Sequence, residues 1–313
     1  MKRIAFVLTM LIAGALATAS SARAFTLGVI AFQMSSETHA RAANAAAAAA
    51  KAKGWNVQVL NAEGSLPKLV AEIEEMIQAK VDGLVICMGK PVETDAQLAQ
   101  AKAAGIPVIT IASGASPHTL FDIQANEYVN GAEAALYLLG KIDYRGGILE
   151  ERFEQNVATR IRDKELDAAL SENNGVRVVG THTMARTATW QQDVRTGMQA
   201  LISQNKGNFQ GIWASFDGQA YVIDDVLRAD GMKKGDVALV SMDGGPETYR
   251  RIKDPESLFT ATVAVPFERM GDTAIDAMDR IVVQKVPKDK IVQGPYLMMT
   301  AILVDASNVD QMK

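Results

Sequence analysis

VDGLVICMGKPVETDAQLAQAKAAGIPVITI, residues 81–111, contains one complete strand–helix–strand unit and decides the fold. The apolar runs Gly83–Met88 and Val108–Ile111 have the length of strands, and Val92–Ala104 between them has the length of a helix. Gly105 follows the helix segment and is the kind of residue at which helices end, and the proline shortly after it prevents the helix from continuing. Two strands joined through a helix are predicted to lie parallel in one sheet.

The same alternation of strand-length and helix-length segments fills the chain on both sides of this unit. Further strand candidates are Thr26–Phe32, Asn56–Leu60, Gly146–Glu150, Val176–Thr181, Gly211–Ser215, Val237–Met242 and Leu258–Val263. Further helix candidates are Ser36–Lys53, Leu66–Ala79, Asn156–Glu172, Trp190–Gln204, Gln219–Ala229 and Phe267–Val283. This order predicts an α/β protein with two similar, doubly wound, parallel-sheet domains of about five or six strands each.

The first 24 residues have the layout of a secretory signal peptide. Lys2 and Arg3 give a positively charged start, and Ile4–Ala19 follows without a charge. Ala22 and Ala24 are small residues at the two positions that a signal peptidase requires. Because the uncharged stretch is too short for a membrane anchor, we expect export to the periplasm and cleavage after Ala24.

The expected cleavage makes Phe25 the first residue of the mature protein. The reason is that the peptidase recognises the small residues just before this position. The intact mass of protein isolated from the periplasm measures the result directly. A mature chain that still carries Met1 would contradict export.

Composition argues against several classes of function. Removal of Lys2, Arg3 and Arg23 takes the formal charge of the chain from -4 to -7, and an acidic chain without a basic run is not suited to nucleic acid or to an anionic membrane surface. No later stretch reaches the roughly 18 apolar residues of a membrane-spanning helix, so no membrane insertion is expected after cleavage. Cys87, the single cysteine, lies in an apolar run and is predicted to be a buried thiol.

The sequence contains no motif for catalysis, for phosphate binding or for a metal. The three histidines, His39, His118 and His182, are scattered and lack the spacing of metal ligands. Neither Ser36 nor Ser215 sits in the elbow motif that a secreted hydrolase of this fold class would use. We therefore expect a binding protein with no catalytic residue, cofactor or metal.

Several segments, taken in order, resemble the type I periplasmic binding proteins of the ribose-binding kind, which serve ABC importers. They are Thr26–Ile30, Val81–Ile86, Ala104–Ile109, Asn126–Gly131, Gln210–Ser215 and Val240–Gly244, and the similarity runs from Phe25 to about Val304. Each segment alone is a weak signal, whereas their order and spacing together are specific. The resemblance implies a monomeric two-domain clamp that closes on its ligand and then docks on a membrane ABC permease.

The resemblance also implies three crossings of the chain between the domains. They are expected near Ala125-Asn126, near Ala264-Val265 and near Gln293-Gly294. The N-terminal lobe then comprises residues 25–125 and 265–293, and the C-terminal lobe comprises residues 126–264 and 294–313. The hinge between the lobes is expected to close over a ligand in the cleft.

Residues beyond the carboxyl ends of the strands are the candidate ligand contacts, because ligands of open parallel sheets bind there. The resemblance implies contacts from the following set: Phe32, Ser36, His39, Asn126, Arg160, Trp190, Phe216 and Asp243. It implies that Arg160 reaches ligand hydroxyls, that Trp190 stacks on the ligand and that Asp243 accepts two hydroxyl protons.

Simpler interpretations stay open for some of these residues. Trp190, Phe32 and Phe216 are also consistent with packing in the core, and Arg160 with a solvated surface position. Asp243 precedes a glycine and is also consistent with a turn. Asp217 is interpreted as a helix cap at least as readily as a ligand contact.

Departures from the family pattern bear on the identity of the ligand. Ala112-Ser113 stands where the family often has Asp-Arg, Phe216 where asparagine is common, and Val265-Pro266 where glutamine is frequent. Because three polar contacts are lost or replaced, we expect a ligand other than ribose that is smaller or less polar.

The charge of the candidate residues bears on the charge of the ligand. Arg160 and Asp243 supply one charge of each sign, which predicts a small neutral sugar or sugar alcohol whose binding depends little on salt. The alternative within binding proteins is a periplasmic sensor of a sugar-like signal, such as a furanosyl autoinducer, that docks on a receptor.

Overall fold

Two six-stranded sheets, each covered by helices on both faces, make up residues 23–312, the part of the chain that the computed structural model describes. The predicted signal peptide lies outside these residues, apart from Arg23 and Ala24. Within the described part, no helix combines the length and the apolar character needed to cross a membrane.

All of the predicted strands and helices are present, and the structure adds five elements that were not predicted: Phe121–Ala125, Glu127–Lys141, Pro246–Lys253, Tyr296–Met299 and Ile302–Asp305. In chain order they are β1 (Thr26–Ala31), α1 (Glu37–Ala52), β2 (Asn56–Asn61), α2 (Leu66–Gln78), β3 (Gly83–Cys87), α3 (Asp95–Ala103), β4 (Val108–Ile111), β5 (Phe121–Ala125), α4 (Glu127–Lys141), β6 (Gly146–Arg152), α5 (Val157–Ser171), β7 (Val176–Thr183), α6 (Trp190–Gln204), β8 (Gly211–Ala214), α7 (Asp217–Ala229), β9 (Ala238–Asp243), α8 (Pro246–Lys253), β10 (Phe259–Ala264), α9 (Phe267–Met278), β11 (Tyr296–Met299) and β12 (Ile302–Asp305). A π-helical turn, Asp279–Val283, extends α9.

The two sheets have the same strand order, which makes the lobes similar in topology. The first sheet runs β11-β5-β4-β3-β1-β2, and the second runs β12-β10-β9-β8-β6-β7. Every pairing in the first sheet is parallel. In the second sheet β12 pairs antiparallel with β10 at one edge and the other pairings are parallel, so the prediction of two parallel-sheet domains is confirmed. We call the two units the first lobe and the second lobe.

Sheet membership locates the points at which the chain passes from one lobe to the other. The first passage follows Ala125, at the end of β5, and the second follows Ala264, at the end of β10. The third lies between Met299 and Ile302, later than the expected position near Gln293-Gly294. The reason is that β11 pairs with β5 and therefore still belongs to the first sheet.

The alanine-rich segment forms α1, as its high helix propensity predicts. Its buried face consists of Ala42, Ala43, Ala46, Ala47 and Ala50. This face packs on the sheet and also on α9, where a Cβ added at Gly271 would lie only 2.6 Å from the Ala42 carbonyl oxygen. The small side chains on both helices thus allow their backbones to approach closely, and a larger residue at Gly271 would push them apart.

Candidate functional site

The strand ends of the two lobes meet across a cleft, and two hydrogen bonds connect them there. Arg41 of α1 donates from Nη1 to the carbonyl oxygen of Gly244, just after β9, at 2.6 Å. Tyr221 of α7 donates from its hydroxyl to Glu37 Oε2 at 3.3 Å. We call these two contacts the clasp. They hold the first turns of α1 close to the turn after β9 and to α7.

Phe32 and His39 lie together in the first lobe, at this cleft. Phe32 directly follows β1 and is buried, and its ring centroid lies 6.3 Å from that of His39. His39 Nδ1 accepts a hydrogen bond from the Gln33 amide at 3.1 Å, which leaves the ring proton on Nε2. Burial, together with the positive charges of Lys90 and Arg186, lowers the pKa of His39 to about 4. His39 is therefore neutral near pH 7 and offers an Nε2–H donor.

Ser36 and Asn126 both have local hydrogen-bond partners. The Ser36 hydroxyl, at the start of α1, lies 3.2 Å from Oγ1 of Thr38, the second residue of that helix. Asn126 is exposed, and its Oδ1 accepts from the Val129 amide at 3.3 Å, which caps α4. The structure thus gives Asn126 a role at a helix start that sequence reasoning did not assign to it.

Three aromatic rings cluster at the strand ends of the second lobe. Trp190 begins α6, Phe216 immediately precedes α7, and their ring centroids are 5.7 Å apart. Phe153, which follows β6, packs against Phe216 with a centroid distance of 6.1 Å. All three rings are partly exposed at the edge of the core of the second lobe. The two interpretations of Trp190 and Phe216, packing and ligand contact, are therefore compatible, because one edge packs while another stays open.

Asp243 ends β9 and is paired with an arginine. Arg162 of α5, which is 3% exposed, places Nη1 3.0 Å from Asp243 Oδ1 and donates from Nε to Glu127 Oε2 at 2.7 Å. The same guanidinium donates to the carbonyl oxygen of Ser215 at 3.1 Å. Burial raises the pKa of the Asp243 carboxyl, and the adjacent Arg162 opposes that rise. The result is a charge pair held rigidly at the strand ends.

The arginine beside Asp243 is Arg162 and not the expected Arg160. Arg160 is partly exposed and donates from Nη1 to the backbone carbonyl of Glu154 at 2.6 Å. The buried face of α5 is formed by Thr159, Arg162, Asp163 and Leu166, which follow the spacing of helix turns. That periodicity was available in the sequence and excludes Arg160 from the buried face.

The turn after β9 has an unusual backbone that a buried carboxylate stabilises. Asp243, Gly244 and Gly245 have φ values of 131°, 69° and 134°. Asp217 Oδ2 accepts from the Gly244 amide at 2.8 Å and from the Thr248 hydroxyl at 2.6 Å. Asp217 is buried at the first position of α7, so it is neither the helix cap nor a ligand contact. Its role is to hold the turn that presents Asp243.

The strand ends of the first lobe offer few free polar groups. Ser113, after β4, accepts from the Gly89 amide at 2.7 Å and donates to the Ile111 carbonyl at 2.9 Å. Its hydroxyl is thus engaged by the backbone. Cys87, at the end of β3, is a free buried thiol, as predicted. Among residues 23–312, no cluster of three or more His, Cys, Asp or Glu side chains could hold a metal ion.

Comparison with known proteins agrees with this architecture. Residues 27–285 match the family described as periplasmic binding protein domain. The ribose import binding protein RbsB of Bacillus subtilis (strain 168) is 26% identical over 234 residues, which cover 74% of this chain and 73% of the relative. The xylitol-binding protein of Mycolicibacterium smegmatis is 23% identical over 313 residues, which cover 95% of this chain and 82% of the relative.

Solved structures show the same fold. The solute binding protein of an ABC transporter from Agrobacterium vitis, crystallised with bound allitol, superimposes with a TM-score of 0.79. It is 24% identical, and the match covers 92% of this chain and 97% of that one. Because the family is one of binding proteins, the expectation that the chain is not an enzyme is confirmed. The chain therefore belongs to the periplasmic binding proteins, with the type I fold, and resembles the solute-binding proteins of sugar ABC importers.

Proposed function

We propose that the chain captures a small sugar or sugar alcohol between its lobes and delivers it to a membrane ABC permease. The observation that carries this proposal is the Arg162–Asp243 pair at the strand ends of the second lobe, where the rings of Trp190 and Phe216 also lie. The relatives that are named for ribose and xylitol, and the allitol-bound structure, are consistent with this class of ligand.

The chemistry of the pair suits neighbouring hydroxyl groups. A carboxylate accepts hydrogen bonds and a guanidinium donates them, so one pair can satisfy both functions of a hydroxyl. Aromatic ring faces pack well on the C–H side of a sugar or polyol. Asp243 and Arg162 are held by Glu127, Ser215 and the turn after β9, so they need not reorganise when a ligand binds.

Closure of the hinge would follow from contacts to both lobes. A ligand shifts a conformational equilibrium only if it binds one state more tightly than the other. Trp190 and Asp243 belong to the second lobe, whereas Phe32 and His39 belong to the first. A ligand that touches both groups is bound more tightly in the closed form, and the permease then recognises that form.

The geometry supports the expectation that the ligand carries several hydroxyl groups more strongly than it supports the expectation that the ligand has no net charge. The expectation of neutrality rests on Arg160 and Asp243 acting as an opposite pair. Asp243 is paired with Arg162 instead, and Arg160 contacts a backbone carbonyl. The charge balance of the cleft therefore does not by itself favour a neutral compound.

A thermal-shift panel of pentoses, hexoses, sugar alcohols and their charged derivatives tests the proposal, with titration calorimetry on each compound that raises the melting temperature. We expect at least one polyhydroxylated compound to bind, because the cleft offers both hydrogen-bonding partners and ring faces. If only amino acids, peptides or metal ions raised the melting temperature, the proposed class of ligand would be wrong.

Replacement of Trp190 by alanine is expected to weaken the binding of that compound at least about tenfold, or roughly 1.4 kcal/mol, because the stacking surface is lost. The fold should survive, since Trp190 is only partly buried. Trp55→Ala is the matched control, because the Trp55 ring packs on Phe25 in the first lobe, with centroids 4.3 Å apart. Calorimetry should show unchanged affinity in this control, and unchanged affinity in Trp190→Ala would assign Trp190 to packing alone.

A further inference from the structure

Positive charges from both lobes converge on the ring of Phe32. Lys90, which follows β3 in the first lobe, places Nζ 5.3 Å from the ring centroid. Arg186, between β7 and α6 in the second lobe, places Cζ 6.0 Å from the same centroid. Both cations therefore lie within reach of one point in the cleft, on the strand-end side of each lobe. Such contacts with a ring face are attractive, but they do not neutralise a charge.

The charges in this group repel one another. The pKa of Lys90 is lowered by burial, by Arg186 and by Arg160 of α5. The pKa of His39 falls for related reasons, so this ring adds a donor and no charge. Closing the cleft brings Lys90 of one lobe toward two arginines of the other, which costs free energy unless a negative charge enters between them.

No carboxylate of the described residues forms an ion pair with Lys90, Arg160 or Arg186. Glu93 raises the pKa of Lys90, but Glu93 is exposed and forms no ion pair with Lys90. Glu154 accepts a hydrogen bond from Arg160 with its backbone carbonyl and not with its carboxylate. By contrast, Arg41 and Arg162 at the same cleft each have a carboxylate within 3.0 Å. In a chain with 36 acidic and 32 basic residues, an uncompensated group of three cations is unexpected on grounds of stability.

We propose that the ligand carries an anionic group, either a phosphate monoester or a carboxylate, that binds between Lys90, Arg160 and Arg186 above Phe32. This inference rests on the proposed function, since the polyhydroxylated part of the same ligand occupies the site at Arg162 and Asp243. The anion accepts hydrogen bonds from the three cations and from His39 Nε2–H. It also removes the repulsion that opposes closure, so a charged ligand favours the closed form more than its neutral parent does.

Paired ligands test the proposal. Calorimetry compares pentoses and pentitols with their 5-phosphates and with the corresponding aldonates, at low and high salt. We expect one charged series to bind at least about tenfold more tightly than the neutral parents, and its affinity to fall as salt rises. The phosphate and aldonate arms show which anion the group accepts.

Two variants test whether the tighter binding of charged compounds depends on the cations Lys90, Arg160 and Arg186. Lys90→Gln and Arg186→Gln should each weaken binding of the charged compound at least about tenfold, and leave binding of its neutral parent within about twofold. Neither variant should lower the melting temperature without ligand, because each removes an uncompensated charge. Arg177→Gln, at an exposed arginine of β7, is the matched control and should change neither affinity.

The outcomes separate this inference from the proposed function. Neutral parents that bind as tightly as the charged compounds, with no effect of either glutamine variant, would overturn the inference and leave the proposed function intact. If no sugar or polyol bound, charged or neutral, both would be overturned together.

Discussion

Replacing Arg162 by methionine is expected to lower the free energy of unfolding by about 3–5 kcal/mol, the range seen when one partner of a buried ion pair is removed. Methionine retains the apolar stem but leaves Asp243 and Glu127 without the guanidinium that lies 3.0 Å and 2.7 Å from them. The Ser215 carbonyl also loses its donor. Because Asp243 belongs to the proposed ligand site, binding should fall below detection in the same variant.

Urea unfolding at two pH values measures this loss and identifies its cause. Burial raises the pKa of the Asp243 carboxyl and Arg162 opposes that rise, so without Arg162 the folded state binds the Asp243 proton more tightly than the unfolded chain does. Stability from such groups is present at low pH and is lost as pH rises, and the deficit of the variant should therefore be smaller at pH 5 than at pH 8. Arg160→Met is the matched control and should change the stability by less than about 0.5 kcal/mol. Equal effects of the two variants would contradict the assignment of Arg162.

Replacing Gly245 by alanine is expected to weaken ligand binding about tenfold or more, because it opposes closure of the cleft. A Cβ at this position would lie 2.5 Å from Glu37 Oε1 and 2.9 Å from Arg41 Nη1 across the cleft. These side-chain ends can move away, but doing so breaks the contacts of Glu37 with Tyr221 and of Arg41 with Gly244. In the open form the added Cβ does not crowd Glu37 or Arg41, and no contacts between the lobes are lost. The equilibrium between the closed and open forms therefore shifts toward the open form.

The backbone of Gly245 adds a second effect, a loss of stability in the alanine variant, which a control variant with the same backbone cost separates from the effect on closure. Its φ of 134° and ψ of 170° lie in a region that only glycine adopts readily, so alanine also costs stability. Gly235 has a φ of 94° and open space around its Cβ position, so Gly235→Ala carries a similar backbone cost away from the lobe contact. Small-angle scattering should show a larger radius of gyration for Gly245→Ala than for Gly235→Ala. Equal dimensions and equal affinities would contradict a role for this contact in closure.

The regular part of the fold was predictable from the sequence because its signals are local. Val108–Ile111 and Trp190–Gln204 have the predicted bounds, and most other elements differ only at their ends. β5 was not predicted, since Asp122 interrupts its apolar run, and the structure accommodates this buried carboxyl with a hydrogen bond from the Ser113 amide. β11 and β12 depend on pairing with strands far away in the chain, which local patterns do not encode.

The candidate site was predictable only in part, for a similar reason. The family resemblance, together with the rule that ligands bind at strand ends, predicted contacts from Phe32, Trp190, Phe216 and Asp243, and their role as ligand contacts stays a prediction. The convergence of Lys90 and Arg186 was not predictable, because the two residues are far apart in sequence and come from different lobes. Long cationic side chains leave no periodic pattern by which their meeting point could be recognised.

The clasp has a consequence for how selectivity must arise. The contacts of Arg41 with Gly244 and of Tyr221 with Glu37 do not involve the ligand. They therefore favour the closed form equally for every compound that binds. An apparent dissociation constant equals the intrinsic constant divided by the fraction of protein in the binding-competent form. Contacts that favour the closed form without a ligand therefore increase the apparent affinity for every ligand by the same factor. Discrimination between rival nutrients must then come entirely from the groups that touch them. Release of the ligand at the transporter, in turn, requires that the contacts of the clasp break as well as the contacts with the ligand.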